Sequence, residues 1–128
     1  MRARALLIVV LLLVIQCDFL KAQNNPQIDR ILKQNDNLLN EEAYEILEPE
    51  AIRTLELSKQ ENYKYGIAKS QLILGILEGL NGNWSRSSEY LFDAIHQFKD
   101  LNDSLNTALS YMELALVKNE EGYSEVAL

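Results

Sequence analysis

Cysteine and histidine are almost absent from the sequence, which limits the metal and thiol chemistry open to it. The 128 residues include one cysteine, Cys17, and one histidine, His96. A single cysteine cannot form a disulfide within the chain, and a structural zinc site takes about four ligands, usually Cys or His. Glycine-rich phosphate loops and serine-hydrolase elbows are also missing from the sequence. We therefore expect no metal and no other cofactor.

Positive charge is scarce as well. The sequence has 12 Lys and Arg residues against 19 Asp and Glu residues, which gives a formal net charge of −7. Nucleic acids and anionic membrane surfaces require clustered Lys and Arg, and no such cluster follows the first few residues. We expect no nucleic-acid partner, and membrane contact only through the N-terminal segment.

Proline is the third scarce residue, with two in the whole chain. Apolar residues recur at a spacing of three to four, which is the period of a helix with one buried face. Hydrophobic residues make up 48% of the chain and charged residues 24%, an ordinary globular composition. These features predict one small, all-α domain.

Carboxylates are abundant, but their arrangement does not indicate catalysis. Five glutamates lie close together, at Glu41, Glu42, Glu45, Glu48 and Glu50. A general acid–base pair needs two carboxylates in different environments around a cleft, whereas a run of this kind is typical of a solvated helix face. Because the sequence places no nucleophile or acid with His96, we interpret it as a surface or interfacial residue. We predict that the protein is not an enzyme.

The first 22 residues have the pattern of an export signal. Arg2 and Arg4 precede an apolar run from Ala5 to Ile15, and a small residue, Ala22, follows at a position where a signal peptidase could cut. Eleven apolar residues cover only about half of a hydrocarbon layer of about 30 Å. We predict cleavage after Ala22 and an exported protein, periplasmic or extracellular, with an uncleaved signal anchor as the alternative.

A shift of forty residues aligns the chain with itself. The identical pairs include Asn62 with Asn102, Ala68 with Ala108, Ser70 with Ser110, Leu74 with Leu114, and Gly82 with Gly122. Matches at one fixed period are expected for a structural repeat. The sequence therefore predicts helices at 28–39, 44–58, 67–80, 84–99 and 104–118, and a further helix that begins at 123.

Turns and caps are predicted between these helices. Asn81–Asn83, 100–103 and 119–122 are the expected turns, and Gly82 and Gly122 are expected to end helices. Ser85 or Ser88 is a candidate cap for the helix at 84, and Asp103 or Ser104 for the helix at 104. Pro49 is expected to kink its helix or to mark a late start.

Small residues at fixed positions indicate close helix crossings. Gly75 and Ala115 occupy the same position in successive repeats, and Ser87, Ala94 and Ala127 are the small residues predicted for the second helices. Large side chains at a crossing would hold two helices apart, so we expect Gly75 to lie where its helix meets the next. Gly79 is expected to be either a weak spot in its helix or a place where another element packs closely.

The middle repeat resembles the tetratricopeptide repeat family, in a variant with a period of about forty residues. The resemblance rests on Leu74, Gly75, Gly82, Trp84, Ser87, Leu91 and Ala94. The last repeat matches at Leu114, Ala115, Gly122 and Ala127, although Tyr123 lies one place early. The upstream repeat keeps Leu47, Ala51 and Thr54 but has Asn35 in the small first-helix position. The resemblance covers residues 28–128.

The resemblance implies antiparallel helical hairpins stacked as a short right-handed solenoid of about two and a half repeats. It also implies a groove, lined by the first helices, that holds a protein or peptide partner. By position in this sequence, the groove residues would be Lys69, Leu72, Ile76, Leu109, Met112 and Leu116.

We thus expect a signal peptide at 1–22, a tether at 23–27 and a repeat domain at 28–128. This domain is predicted to be incomplete at its C-terminal end and able to self-associate there. The predicted function is a non-catalytic scaffold for protein–protein interaction. The alternative is the extracytoplasmic sensory part of a longer signalling protein, such as a sensor histidine kinase or a helix-turn-helix regulator.

Overall fold

The computed structural model describes residues 2–126, without the side chains of residues 17–23. The expectation for Ala127 lies outside the described residues, and those for Cys17 and for cleavage after Ala22 fall where only the backbone is described. Within the described range the chain forms six helices and no strand, which confirms the all-α prediction. The helices are α1 (Arg2–Gln23), α2 (Pro26–Asn40), α3 (Tyr44–Gln60), α4 (Lys64–Leu80), α5 (Trp84–Asp100) and α6 (Ser104–Val126).

Four turns of the same shape join α2 to α6 at intervals of twenty residues. Each turn has one residue in the left-handed region, namely Glu42, Asn62, Gly82 and Asn102, with φ between 52° and 77°. The amide of the next residue donates to the carbonyl five residues earlier, at 2.8–2.9 Å in every turn. This bond satisfies a carbonyl that the helix end leaves without a partner. The next helix starts one residue later, so successive helices reverse direction after the same number of residues.

The core surrounds α4, which packs against α2, α3, α5 and α6. One cluster joins α4 to α5 and α6 through Leu72, Leu91, Phe98 and Leu114, and a second joins α4 to α3 through residues such as Leu47 and Leu74. A third, smaller cluster holds α2 against Tyr63 in the turn before α4. From α2 onward, helices therefore pack on their neighbours in sequence. α4 also contacts α2 and α6, which lie two places away, and makes a small contact with α1.

Gly75 lies at the predicted close crossing of α4 and α5. A Cβ atom at Gly75 would lie 2.7 Å from Cγ of Leu91, which is fully buried. Ser87 is buried opposite, and its hydroxyl donates a 2.6 Å hydrogen bond to the Gly75 carbonyl. Gly79 is also a place of close packing, which was one of its two expected roles, because a Cβ there would lie 3.0 Å from Cγ2 of Val117 in α6.

The first hairpin uses a polar pair at its crossing. Asn35 stands forty residues before Gly75, and Thr54 stands forty residues before Ala94. Both are buried, and the Asn35 side-chain amide donates to the Thr54 hydroxyl at 3.0 Å. Thr54 donates in turn to the Glu50 carbonyl at 2.6 Å. The departure of Asn35 from the repeat pattern is thus matched by a hydrogen-bonding partner on the facing helix.

Several expected boundaries are correct and several are wrong. The expected starts at 44, 84 and 104 and the expected end at 80 coincide with the observed bounds. The tether is shorter than predicted, because Pro26 is already in the first turn of α2, where its missing amide costs nothing and Asn25 caps the helix. Asn83 precedes α5 without a side-chain cap, so the prediction of Ser85 or Ser88 is wrong. Asp103 does cap α6, accepting from the Asn106 amide at 3.0 Å.

The predicted turn at 119–122 is absent. α6 continues through Gly122 to Val126, and a Cβ atom added at Gly122 would lie in open space. A glycine inside a helix costs only about 1 kcal/mol relative to alanine, and the Lys118–Glu121 ion pair at 3.1 Å supports this part of the helix. Since no described element packs here to require a reversal, the helix continues.

Pro49 does not interrupt α3, contrary to the prediction of a late start. It is the sixth residue of the helix, and the carbonyl that would have accepted its amide belongs to Glu45. Both residues are exposed, so water can satisfy that carbonyl.

The described side chains of α1, residues 2–16, are all exposed and include the apolar run from Leu6 to Ile15. Among the described residues, no helix combines the length and the apolar character needed to cross a membrane.

Candidate binding surface on α6

One side of α6 is buried and the opposite side is apolar but exposed. Ser110, Leu114 and Val117 face α5 and α4. At 100° per residue, the opposite side carries a row of apolar residues that we call the α6 stripe. The α6 stripe consists of Leu105, Ala108, Leu109, Met112, Ala115 and Leu116, all exposed. Leu105 is 71% exposed, Met112 52% and Leu116 53%, so the stripe is an open apolar surface.

The same positions on α4 are covered. Forty residues before Leu105, Met112 and Leu116 lie Tyr65, Leu72 and Ile76, which all pack in the cluster formed with α5 and α6. Leu72 is 5% exposed and fills the core, which corrects its predicted place in the groove. Lys69 is held within the fold, since its ammonium lies 3.2 Å from the Asp36 carboxylate of α2 and its side chain is 14% exposed. Of the predicted groove residues, Leu109, Met112 and Leu116 are exposed.

Ile76, the remaining predicted groove residue, borders a pocket between α4 and α6. The pocket has a volume of about 380 Å³, and we call it the α4–α6 pocket. It is lined by Ile76, Gly79, Leu80, Trp84, Glu113, Leu116, Val117 and Glu120. Leu116 belongs both to the pocket and to the α6 stripe, so the two surfaces are continuous.

Most of the pocket residues could not be identified from the sequence. One signal was present: Glu113 stands forty residues after Ile73, which is fully buried against α3. A glutamate in place of a core isoleucine indicates that the environment of the two helices differs at this point.

Two carboxylates give the pocket a negative character. Partial burial raises the pKa of the Glu113 carboxyl above its ordinary value. Glu120 lies two helical turns further along α6. Within the described part of the chain, neither residue forms an ion pair, whereas Lys118 on the same helix is engaged with Glu121. Of the eight residues that line the pocket, none is basic.

Tyr63, Tyr65 and Phe98 form an aromatic group that links the helices around α4. The Tyr65 ring packs edge-on against Tyr63 and Phe98, with centroids 6.1 and 6.4 Å away. The Tyr63 hydroxyl donates to Asp29 of α2 at 2.5 Å, and burial followed by this bond raises the Tyr63 pKa well above its usual range. Burial, followed by the negative charge of Asp103, also raises the Tyr65 pKa. These contacts connect α2, α4 and α5, and Tyr65 also packs against the cluster that includes Leu114 and Val117 of α6.

The remaining candidates for chemistry lie elsewhere. His96 is exposed on α5, as expected, and four of the five glutamates at 41–50 are exposed, with Glu50 paired to Arg53 at 3.1 Å. In the part of the chain that the structure describes, no three His, Cys, Asp or Glu side chains come together as a group that could hold a metal ion. The surface features described here are suited to binding an apolar segment beside a positive charge.

Comparison with known proteins does not assign the chain to a family. No protein-family model, no curated protein and no solved structure matches it.

Proposed function

We propose that this protein is a non-catalytic binding module, and that a helical segment of a partner protein packs over the α6 stripe. The observation that carries the proposal is the exposure of Leu105, Met112 and Leu116 at positions whose counterparts on α4 are covered by neighbouring helices. Exposed apolar patches rimmed by polar residues often mark protein-binding sites. We propose a helix as the occupant because the corresponding face of α4 is covered by two helices, α5 and α6.

The tetratricopeptide-like interpretation is part of the same proposal. Turns at intervals of twenty residues, and contacts of α4 with α2 and α6 as well as with its sequence neighbours, support a stacked-hairpin repeat. In such an array α2, α4 and α6 are the first helices, and the α4–α6 pocket lies in the groove between two of them.

Export is proposed from the N-terminal segment. The exposed apolar side chains from Leu6 to Ile15 belong to none of the core clusters, so the repeat helices can retain their core without them. N-terminal sequencing of the protein recovered from its native host should begin at Gln23. A chain that keeps Met1 and fractionates with membranes would instead show a signal anchor.

Site-specific photo-crosslinking tests the binding proposal. A photoreactive residue at position 112 should capture a partner in the native host, and the same residue at Glu56, exposed on α3, should not. The captured protein is then purified and its affinity measured directly. Leu116→Asp should weaken binding by about tenfold or more, because it places a charge in the apolar contact.

Ile52→Asp is the matched control, since Ile52 is an exposed apolar residue on α3. It should leave the affinity unchanged. Equal loss of binding in both variants would contradict the proposal. A crosslinked product of twice the chain mass would show that the α6 stripe joins two copies of the chain and would overturn the idea of a different partner.

A further inference from the structure

We propose that the α4–α6 pocket receives a lysine or arginine side chain from the segment that packs over the α6 stripe. This inference rests on the proposed function and adds the chemistry by which the segment is selected. The pocket opens beside the stripe at Leu116, so a residue projecting from a bound segment reaches it without leaving the apolar contact.

The walls of the pocket suit the aliphatic part of such a side chain. Ile76, Leu80, Trp84 and Leu116 form apolar sides, and Val117 lies at the buried base. A volume of about 380 Å³ is at the small end of the range for ligand pockets, which is about 300–1,000 Å³. Lysine and arginine bury their methylene stems against apolar surface while the charged end remains solvated or paired.

The two glutamates that line the pocket suit a positive charge. Glu113 and Glu120 line it from α6, seven residues apart and therefore on one side of the helix. Over the full length of α6 there are four glutamates and one lysine, and that lysine is already paired with Glu121. A cation in the pocket would meet two carboxylates and no competing basic side chain among the lining residues.

The end of α4 favours the same sign of charge. Gly79 and Leu80, which are the last two residues of α4, line the pocket. The C-terminal end of a helix carries a partial negative charge, and it stabilises a nearby cation. The Trp84 indole adds an aromatic face of the kind to which ammonium and guanidinium groups are attracted. Negative charge from two helices thus converges on one apolar pocket.

The single tryptophan of the chain makes the proposal directly measurable, because Trp84 lines the pocket. The probes are hexylammonium, which imitates a lysine side chain, 1-hexanol as its neutral analogue and hexanoate as its anionic analogue. Titration of Trp84 fluorescence should show saturable binding of hexylammonium at about tenfold lower concentration than 1-hexanol. Hexanoate should not bind. Equal affinity for hexylammonium and 1-hexanol would overturn the proposal.

Two variants identify the carboxylates involved. Glu113→Gln and Glu120→Gln preserve the shape of the side chain, and each should reduce the preference for hexylammonium by about fivefold or more. Glu125→Gln is the control, because Glu125 is exposed on α6 outside the pocket. If the preference survives in both pocket variants, the charge selection does not come from these residues and the proposal fails.

Failure of this inference can be distinguished from failure of the proposed function. A captured partner whose affinity falls with Leu116→Asp but not with Glu113→Gln would retain the binding module and remove the basic-residue pocket. If hexylammonium binds selectively but no partner is captured at position 112, the pocket is selective for a cation, but the proposal that the cation comes from a segment bound to the α6 stripe is wrong.

Discussion

Helices α4 and α6 carry matching residues forty positions apart, but only one of their two faces is buried in both helices. On one side the matched residues are buried in both helices, at Ser70 and Ser110, Leu74 and Leu114, and Leu77 and Val117. On the other side Leu72 is in the core whereas Met112 is exposed, and Gly75 is buried whereas Ala115 is exposed. The first side is covered by the preceding helix in both cases, whereas the second side is covered only on α4, by α5 and α6.

An apolar residue at a repeated position can therefore have either of two roles, in the core or on an exposed binding surface. Leu72 and Met112 have similar hydrophobicity, yet only Leu72 contributes burial to the fold. Met112 remains available for a contact that the described residues do not supply. Substitutions at matched positions should therefore give unequal effects, and each pair below measures one part of that inequality.

The largest difference is expected for truncation of the apolar pair. Leu72→Ala should lower the free energy of unfolding by about 2–5 kcal/mol, because it removes buried methyl groups and leaves a cavity. Met112→Ala should change it by no more than about 0.5 kcal/mol, as for other exposed positions. Urea denaturation followed by circular dichroism measures both. A similar loss in the two variants would show that the α6 stripe is covered in solution.

The small-residue pair should differ next. Gly75→Leu should cost about 1–3 kcal/mol or more, because its Cβ alone would lie 2.7 Å from Leu91 and the crossing of α4 and α5 would be overpacked. Ala115→Leu should leave the thermal midpoint nearly unchanged, since Ala115 is exposed. An unchanged midpoint for Gly75→Leu would contradict the close crossing.

Replacing Gly82 and its counterpart Gly122 with alanine should change stability in opposite directions. Gly82 has a φ of +77°, so Gly82→Ala should destabilise the hairpin by about 1–2 kcal/mol. Gly122 lies inside α6, so Gly122→Ala should stabilise that part of the helix by about 1 kcal/mol. Amide hydrogen exchange of residues 118–124 measures the local gain. Slower exchange there confirms the continuous helix, whereas faster exchange would indicate a turn at Gly122.

The smallest effect is expected at Glu113, the counterpart of the buried Ile73. Burial raises the Glu113 pKa in the folded chain, so protonation of this carboxyl favours folding. The stabilisation that comes from the protonated carboxyl is fully present below the pKa that Glu113 has in the unfolded chain. It is lost as the pH rises through the higher pKa that Glu113 has in the folded chain. Glu113→Gln should therefore gain stability relative to the wild type as the pH rises from mildly acidic to neutral. Denaturation midpoints for both proteins across that range test the sign, and a gain toward low pH would contradict it.

The helical architecture follows from the sequence because its signals are local. Turn residues such as Gly82 and Asn102 place the starts of α5 and α6, and the forty-residue alignment with α5 places the start of α3. The close crossing at Gly75 also follows, since a glycine inside a helix is costly unless a neighbour needs the space. The polar crossing in the first hairpin does not, because Asn35 gains its meaning only from Thr54, nineteen residues away.

The candidate site is less predictable because exposure depends on which neighbours are present. Lys69 and Leu72 match the groove pattern as well as Leu109 and Met112 do, yet α2 and α5 occupy their surroundings. Gly79 and Glu113 carry no motif by themselves. Glu113 differs from its counterpart Ile73, but the pocket is recognised only when α4 and α6 lie side by side, where Gly79 leaves space and Glu113 supplies charge.

The twenty-residue interval between the turns determines how the chain can gain or lose length. Neighbouring helices run in opposite directions, so removal of one twenty-residue unit would join a helix to a neighbour of the wrong polarity. Removal of forty residues, from Tyr44 to Asn83, would lead from the turn at Glu42 directly into α5, which has the same direction as α3. The natural unit of duplication and deletion in this protein is therefore the pair of helices, and lineages of such a chain should differ in length by multiples of forty.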